Sequence, residues 1–159
     1  MNKQFLFCEN VKQAFEPKDL ATSTTGARIK MNAGERIVFV LSLGDSTGAS
    51  TLALALKQHN AASGGTTKAL AVSNKLYKKM AAATVFTETE MADTDAVNLA
   101  DFAADPGLVV VEVLPQDLDV NNGFAWFSVD IAAAGAAKIG GGVYIVEDSK
   151  YQPAYAESI

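Results

Sequence analysis

Apolar and polar residues alternate along much of this chain, with the period of two that is typical of β-strands. In residues 36–43, RIVFVLSL, one face of the predicted strand carries Ile37, Phe39, Leu41 and Leu43. Val38 and Val40 make the other face apolar as well, which predicts a central strand. Residues 51–57, TLALALK, alternate leucine with Thr or Ala and predict a half-buried strand. The turn-forming segment GDSTGAS between the two predicts that they are antiparallel neighbours in a hairpin.

The same alternation predicts further strands along the chain. One is expected around Ala27–Met31, and others in the ALAV segment, TVFTE (84–88), LVVVEVL (108–114), FAWFSVDI (124–131) and VYIV. Residues 89–106 are polar and rich in Ala and Asp, which predicts a long loop with one helical turn. About eight short strands without a long helical period predict an all-β fold, an antiparallel β-sandwich or jelly roll.

The length of 159 residues predicts one domain spanning 1–159. Its polar ends, 1–10 and 148–159, are expected to be flexible. The longest apolar runs are too short to cross a bilayer, and the first residues lack the pattern of a signal peptide. We therefore expect a protein made in the cytoplasm with no membrane partner.

The charge balance is acidic, with 13 Lys and Arg against 18 Asp and Glu and a net charge of -5. A protein that neutralises phosphates needs the opposite balance, so no nucleic-acid partner is expected. One cysteine, Cys8, and one histidine, His59, cannot build an internal disulfide or a Cys/His zinc site. We predict no metal, no cofactor and no enzymatic activity. His59 lies in a stretch rich in Gly and Ser and is expected to be solvated.

Two short motifs resemble a phosphate-binding loop and a calcium-binding loop, and each departs from its pattern. GDSTGAST has three residues between its glycines instead of four and Ala49 where a phosphate-binding loop needs Lys. DLDVNNG begins like a calcium loop, but its glycine comes one place late and Ser128 stands where a bidentate Glu is required. Asn122 and Gly123 instead predict a tight turn with positive φ immediately before a strand.

Phe124 and Trp126 follow this turn on the strand face opposite Phe127 and Val129. They are either packed inside the subunit or part of a subunit contact, because aromatic residues are enriched in interface cores. Asn122, Gly123, Phe124 and Trp126 are therefore the candidate turn and interface residues.

The order of segments resembles a group of small structural proteins encoded in the head-morphogenesis region of tailed bacteriophages. The similarity lies in ENVKQAFEPKDLAT, in GTTKALAVSNKLYKKMAAATVFTETE and in the stretch from LVVVEVLPQDLDVNNGF to the Tyr/Pro tail. It covers most of residues 9–155, and Glu112–Phe124 is its most specific part. Cys8 and the acidic segment 89–106 are not features of that group.

The resemblance implies a virion structural protein without catalytic residues. Its expected role is a capsid decoration or cement protein on the exterior of the head, with the major capsid protein and further copies of itself as partners. The alternatives are a neck, collar or tail component of the particle, or a β-sandwich that binds a host surface or carbohydrate.

Overall fold

The computed structural model describes residues 10–32, 35–46, 52–72, 75–91 and 95–148, and 57% of these residues lie in strands. The strands are β1 (Val11–Asp19), β2 (Thr24–Thr25), β3 (Ile29–Lys30), β4 (Glu35–Ser46), β5 (Ala53–His59), β6 (Thr67–Ala69), β7 (Lys75–Met80), β8 (Thr87–Glu90), β9 (Ala96–Asn98), β10 (Gly107–Val113), β11 (Trp126–Ile131) and β12 (Lys138–Asp148). Three single-turn 3-10 helices cover Ala100–Phe102, Pro115–Asp117 and Val120–Asn122. The predicted all-β fold is confirmed. The described strands exceed the predicted eight because four of them have only two or three residues.

The strands form two antiparallel sheets. Sheet 1 has the order β1-β12-β4-β10-β7-β8. Sheet 2 has the order β2-β11-β5-β6, with β3 beside β2 against β11 and β9 beside β6 against β5. The central position predicted for β4 is confirmed, since it pairs with β12 on one side and β10 on the other.

The core lies between the two sheets and consists of the side chains that alternation predicted to face inward. On sheet 1, Ile37, Phe39 and Leu41 are fully buried, as are Val109, Val111 and Val113. On sheet 2 the inner face carries Leu54, Leu56, Phe127, Val129 and Ile131, each at most 1% exposed. Tyr144 joins the layers, because its ring lies 5.6 Å from that of Phe39 and 5.7 Å from that of Phe127.

The hairpin predicted for 36–43 and 51–57 is wrong. β4 lies in sheet 1 and β5 in sheet 2, so the chain passes from one layer to the other between them. Both strands turn an apolar face to the interior, and facing layers satisfy that requirement as well as adjacent strands do. Alternation shows which face is buried and does not identify the hydrogen-bonded neighbour.

The long loop predicted at 89–106 is also wrong in part. Thr89 and Glu90 end β8, β9 pairs with β5, and a 3-10 turn follows at Ala100–Phe102. Leu99 and Phe102 are fully buried and anchor this segment to the core. Two buried apolar side chains are therefore enough to hold this segment against the core, although its other residues are small or acidic.

Three further strands differ from the prediction. The TVFTE strand begins only at Thr87, and β7 was not predicted. β12 begins at Lys138, five residues before the predicted VYIV strand. A side chain at Gly142 would place a Cβ 2.8 Å from the rings of both Phe15 and Phe39, so glycine lets these rings pack onto the strand.

Lys138 at the start of β12 is 1% exposed. Its ammonium donates to the carbonyls of Gly44 at 2.8 Å and Asp105 at 3.2 Å, while its backbone N–H donates to the Asp19 carboxylate at 3.0 Å. Burial lowers the pKa of this lysine. The residue thus ties three separate segments to one corner of sheet 1.

Most of the two terminal segments expected to be flexible, together with Cys8 and much of GDSTGAS, lie outside the described residues. Within the described ranges, no helix is long and apolar enough to span a membrane.

Candidate interaction surface

The turn that carries the candidate residues lies between β10 and β11 and is built from two 3-10 helices. In the first, at Pro115–Asp117, the Asp117 carboxylate accepts the backbone N–H of Leu114 at 2.8 Å. The second, Val120–Asn122, ends at Gly123, whose φ of 83° lies in the left-handed region. Glycine adopts that region at little cost, and a Cβ added there would meet nothing within 4 Å.

The carboxylate of Asp119 holds the turn in place. It accepts both bonds of the Asn122 side-chain amide at 2.9 Å and pairs with the ammonium of Lys68. These contacts lower the pKa of Asp119, with the Lys68 hydrogen bond as the largest cause. The Asp119 N–H donates to Gln58 at 2.9 Å, so the turn is also fixed to the end of β5.

This geometry gives the DLDVNNG motif a structural use other than calcium binding. Asp117 accepts a backbone N–H and Asp119 accepts an amide and an ammonium, so donors already occupy the oxygens that would coordinate an ion. Among the residues that the structure describes, no three His, Cys, Asp or Glu side chains are grouped to hold a metal.

The structure separates the two aromatic candidates. Phe124 is 7% exposed, and the Lys68 ammonium lies 4.3 Å from the centre of its ring. Trp126 is half-buried in β11, opposite Lys30 on one side and His59 on the other. The most exposed apolar side chain of this turn is Val120, at 54%. Sequence reasoning missed Val120 and Lys68, although the apolar residue within DLDVNNG was a visible signal.

His59 is buried, so the expectation of a solvated histidine is wrong. Its ring bridges two hydroxyls: Nδ1 lies 2.7 Å from Thr67 Oγ1 and Nε2 lies 2.8 Å from Ser128 Oγ. The exposed fraction is 3% for His59 and zero for Ser128. The alternation of LALALKQH places His59 in β5, and continuing that pattern past Lys57 would have identified it as a strand residue.

Arg28 lies across this hydrogen-bonded chain. Its guanidinium donates to the carbonyls of Ala61 at 2.9 Å and Gly64 at 2.7 Å, and it approaches Thr67 Oγ1 at 3.4 Å. Burial lowers the pKa of His59, and the charge of Arg28 lowers it further. The Ser128–His59 pair therefore resembles a nucleophile and its base in distance only, because a substrate cannot reach the hydroxyl.

A shallow groove of about 450 Å³ lies between β1 and the segment that includes β2. Its lining includes Gln13, Phe15, Glu16, Lys18, Thr24 and Thr25. The groove is polar and open to solvent, unlike the enclosed apolar pockets that bind small molecules.

No family model matches the chain, and no curated protein is similar to it in sequence. Among solved structures, that of the infectious bursal disease virus Gx strain aligns over 90% of this chain and 32% of its own, at 12% identity and a TM-score of 0.34. The VP2 subviral particle of the same virus aligns over 89% and 42%, at 11% identity and a TM-score of 0.26. The chain thus spans less than half the length of either match. TM-scores below 0.5 do not establish a common fold, so these viral proteins assign no function to the chain.

Proposed function

We propose that this chain is a virion structural protein that decorates the exterior of a tailed-phage capsid and bridges subunits of the major capsid protein. The observation that carries the proposal is the turn at Asp119–Trp126. Hydrogen bonds and an ion pair fix this turn to sheet 2, and it presents Val120 and part of Trp126 to solvent. A rigid element with an exposed apolar tip loses little conformational entropy on binding.

Two further features support the proposal. The segment Glu112–Phe124, which forms this turn, is also the most specific part of the resemblance to phage head proteins. A cement protein contributes interface energy only in the bound state, so its own fold must resist deformation. A two-layer sandwich with a continuous core meets that requirement.

The proposal includes no catalytic activity. Among the described residues, Ser128 with His59 resembles a catalytic pair, and both side chains are buried. Its third member is the hydroxyl of Thr67 instead of a carboxylate. This chain of hydrogen bonds is better explained as the means by which the polar side chains of His59 and Ser128 are buried, with the exposed Thr67 at its end.

The first experiment is to measure the copy number of the chain in purified particles by gel densitometry. A decoration protein follows the symmetry of the shell and reaches hundreds of copies, whereas a neck, collar or tail component is present in about a dozen. Particles that lack the chain should assemble and lose DNA at a lower temperature than complete ones. Absence from the particle, or a copy number near a dozen, contradicts the decoration role.

A second experiment tests the turn. Val120→Asp should reduce capsid occupancy while the isolated protein keeps its melting temperature. Trp126→Ala should also reduce occupancy in a protein that stays folded, with a somewhat lower melting temperature because that side chain is half-buried. Val85→Asp is the matched control, because Val85 is 70% exposed and belongs to the distant β7–β8 hairpin. Gly123→Val should lower the melting temperature, since positive φ costs a β-branched residue roughly 1–3 kcal/mol.

Trp126 is also the one feature that favours a carbohydrate-binding sandwich, because half-exposed aromatic rings stack on sugars. Two results together would support that alternative: the protein is absent from particles, and it binds host-surface glycans in a way that Trp126→Ala abolishes.

A further inference from the structure

The outer face of sheet 1, the side turned away from the core, is apolar at its centre. Its side chains alternate with the buried ones, and no described strand packs over it. Seven half-exposed apolar residues form this outer patch: Val38, Val40, Tyr77, Leu108, Val110, Val143 and Ile145.

The strand register makes the patch continuous. Val40 lies opposite Val143 on one side and Val110 on the other, and Val110 in turn lies opposite Tyr77. These four residues form one row across four strands. Val38 and Ile145 form the next row, and Leu108 extends the patch on the other side.

Polar side chains border the patch at both ends of its strands. At one end Arg36 donates to Glu112 at 3.0 Å and also pairs with Glu147. At the other end the ammonium of Lys79 lies 5.8 Å from the ring centre of Phe86. An apolar centre with a polar rim is the usual anatomy of a protein interface.

We propose that this face binds the same face of a second copy of the chain. The whole outer face of sheet 1, patch and rim together, has six strands about 4.8 Å apart and about seven residues at about 3.4 Å along each, a flat area of roughly 700 Å². A stable interface buries about 800 Å² per partner, so one copy supplies an area of the right size. Two sheets packed face to face lie about 10 Å apart with their strands nearly aligned, which suits the low relief of a valine-rich surface.

The charges favour a second copy over a strongly charged partner. In a two-fold dimer each face meets itself, and unpaired like charges would repel. Here the guanidinium of Arg36 is already shared by two carboxylates of its own sheet, and the centre of the patch carries no charge. Self-association therefore buries the valines without bringing unpaired like charges together at the centre.

This inference concerns the isolated protein and stands apart from the proposed attachment to a capsid. The test is sedimentation equilibrium of the full chain from about 1 to about 100 µM, the range in which interfaces of modest affinity dissociate. We expect a dimer. Val110→Glu and Val40→Glu should raise the dimer dissociation constant at least tenfold. Ala62→Glu, an equal charge change at an exposed position of the loop that joins β5 to β6, should leave it unchanged.

Val110→Thr and Val40→Thr keep the β-branched shape of valine. They replace the glutamate variants in the dissociation measurement if a glutamate variant fails to fold. Circular dichroism and thermal melting identify the variants that retain the native fold. A wild-type chain that is monomeric at the highest concentration overturns the proposal. So does a dimer that persists in folded Val110 variants. A monomer whose Val110→Glu variant loses capsid occupancy would show that the patch meets a different protein, and it also overturns self-association.

Discussion

The two sheets of this sandwich have outer faces of opposite character. The outer face of sheet 1 carries valines that are half-exposed, whereas that of sheet 2 carries His59 and Ser128, which are 3% and 0% exposed. At these two residues the polar face is thus more deeply covered than the apolar one. Hydropathy along a strand indicates which side chains are easily buried. Whether a side chain is buried depends on the elements that pack over it.

The cover on sheet 2 comes from an arginine and a loop. Arg28 reaches from beside β3 to the carbonyls of Ala61 and Gly64, and these residues lie in the loop that joins β5 to β6. Both ring nitrogens of His59 and the hydroxyl of Ser128 have hydrogen-bond partners, so these two side chains can be buried without water. Sheet 1 has no equivalent among the described residues, which leaves its outer patch available.

The largest expected effect tests whether the two sheets share one interior. Tyr144→Ala removes the ring between Phe39 and Phe127 and should lower the free energy of unfolding by about 3–5 kcal/mol, as measured by urea denaturation. Tyr144→Phe is the control. Its hydroxyl lies near the Val129 carbonyl without a hydrogen bond of normal geometry, so its loss should change stability by less than about 1 kcal/mol. Equal effects of the two variants would contradict a shared core held by the ring.

The next effect separates the two outer faces. His59→Ala leaves the buried hydroxyl of Ser128 without its partner and should cost about 2–3 kcal/mol in the same assay. The comparable truncation on sheet 1, Val40→Ala, should cost less than about 1.5 kcal/mol because that side chain is only half-buried. The comparison of the faces fails if Val40→Ala is the more destabilising variant.

The pH dependence should sharpen this contrast, because the chain has a single histidine. The fold lowers the pKa of His59 below the ordinary 6.5, so the unfolded chain binds the proton first as the pH falls. The free energy of unfolding should therefore decrease as the pH is lowered from about 7 to about 5, since stability falls wherever the unfolded state binds more protons. In His59→Gln that slope should disappear. A slope that survives in the variant would assign it to other groups.

The smallest effect concerns the rim of the outer patch. Arg36→Met should reduce stability by less than about 1 kcal/mol, because its ion pairs with Glu112 and Glu147 are partly exposed. The difference from wild type should shrink further in high salt. A loss of several kcal/mol would show that these charges are more deeply buried than the structure indicates.

The sequence predicted the β-sandwich because inward-facing residues such as Phe39, Leu54 and Val111 follow a strict period of two. It did not reveal that β4 and β5 lie in different sheets, since pairing depends on contacts between distant segments. β7 escaped notice because its lysines conceal the alternation of Leu76 and Met80. The tight turn at Gly123 was visible in the sequence, but the contact between the Phe124 ring and Lys68 joins residues more than fifty positions apart in the chain.

Lys138 gives the molecule an internal reporter of unfolding. Acylating reagents attack the unprotonated amines of accessible lysines, and this amine is enclosed by the carbonyls of Gly44 and Asp105. In the native state it should stay unmodified after exposed lysines such as Lys12 and Lys30 have reacted. Its rate of labelling then measures how often this corner of sheet 1 opens, so that mass spectrometry of one peptide can follow local stability in the isolated chain and in any assembly it joins.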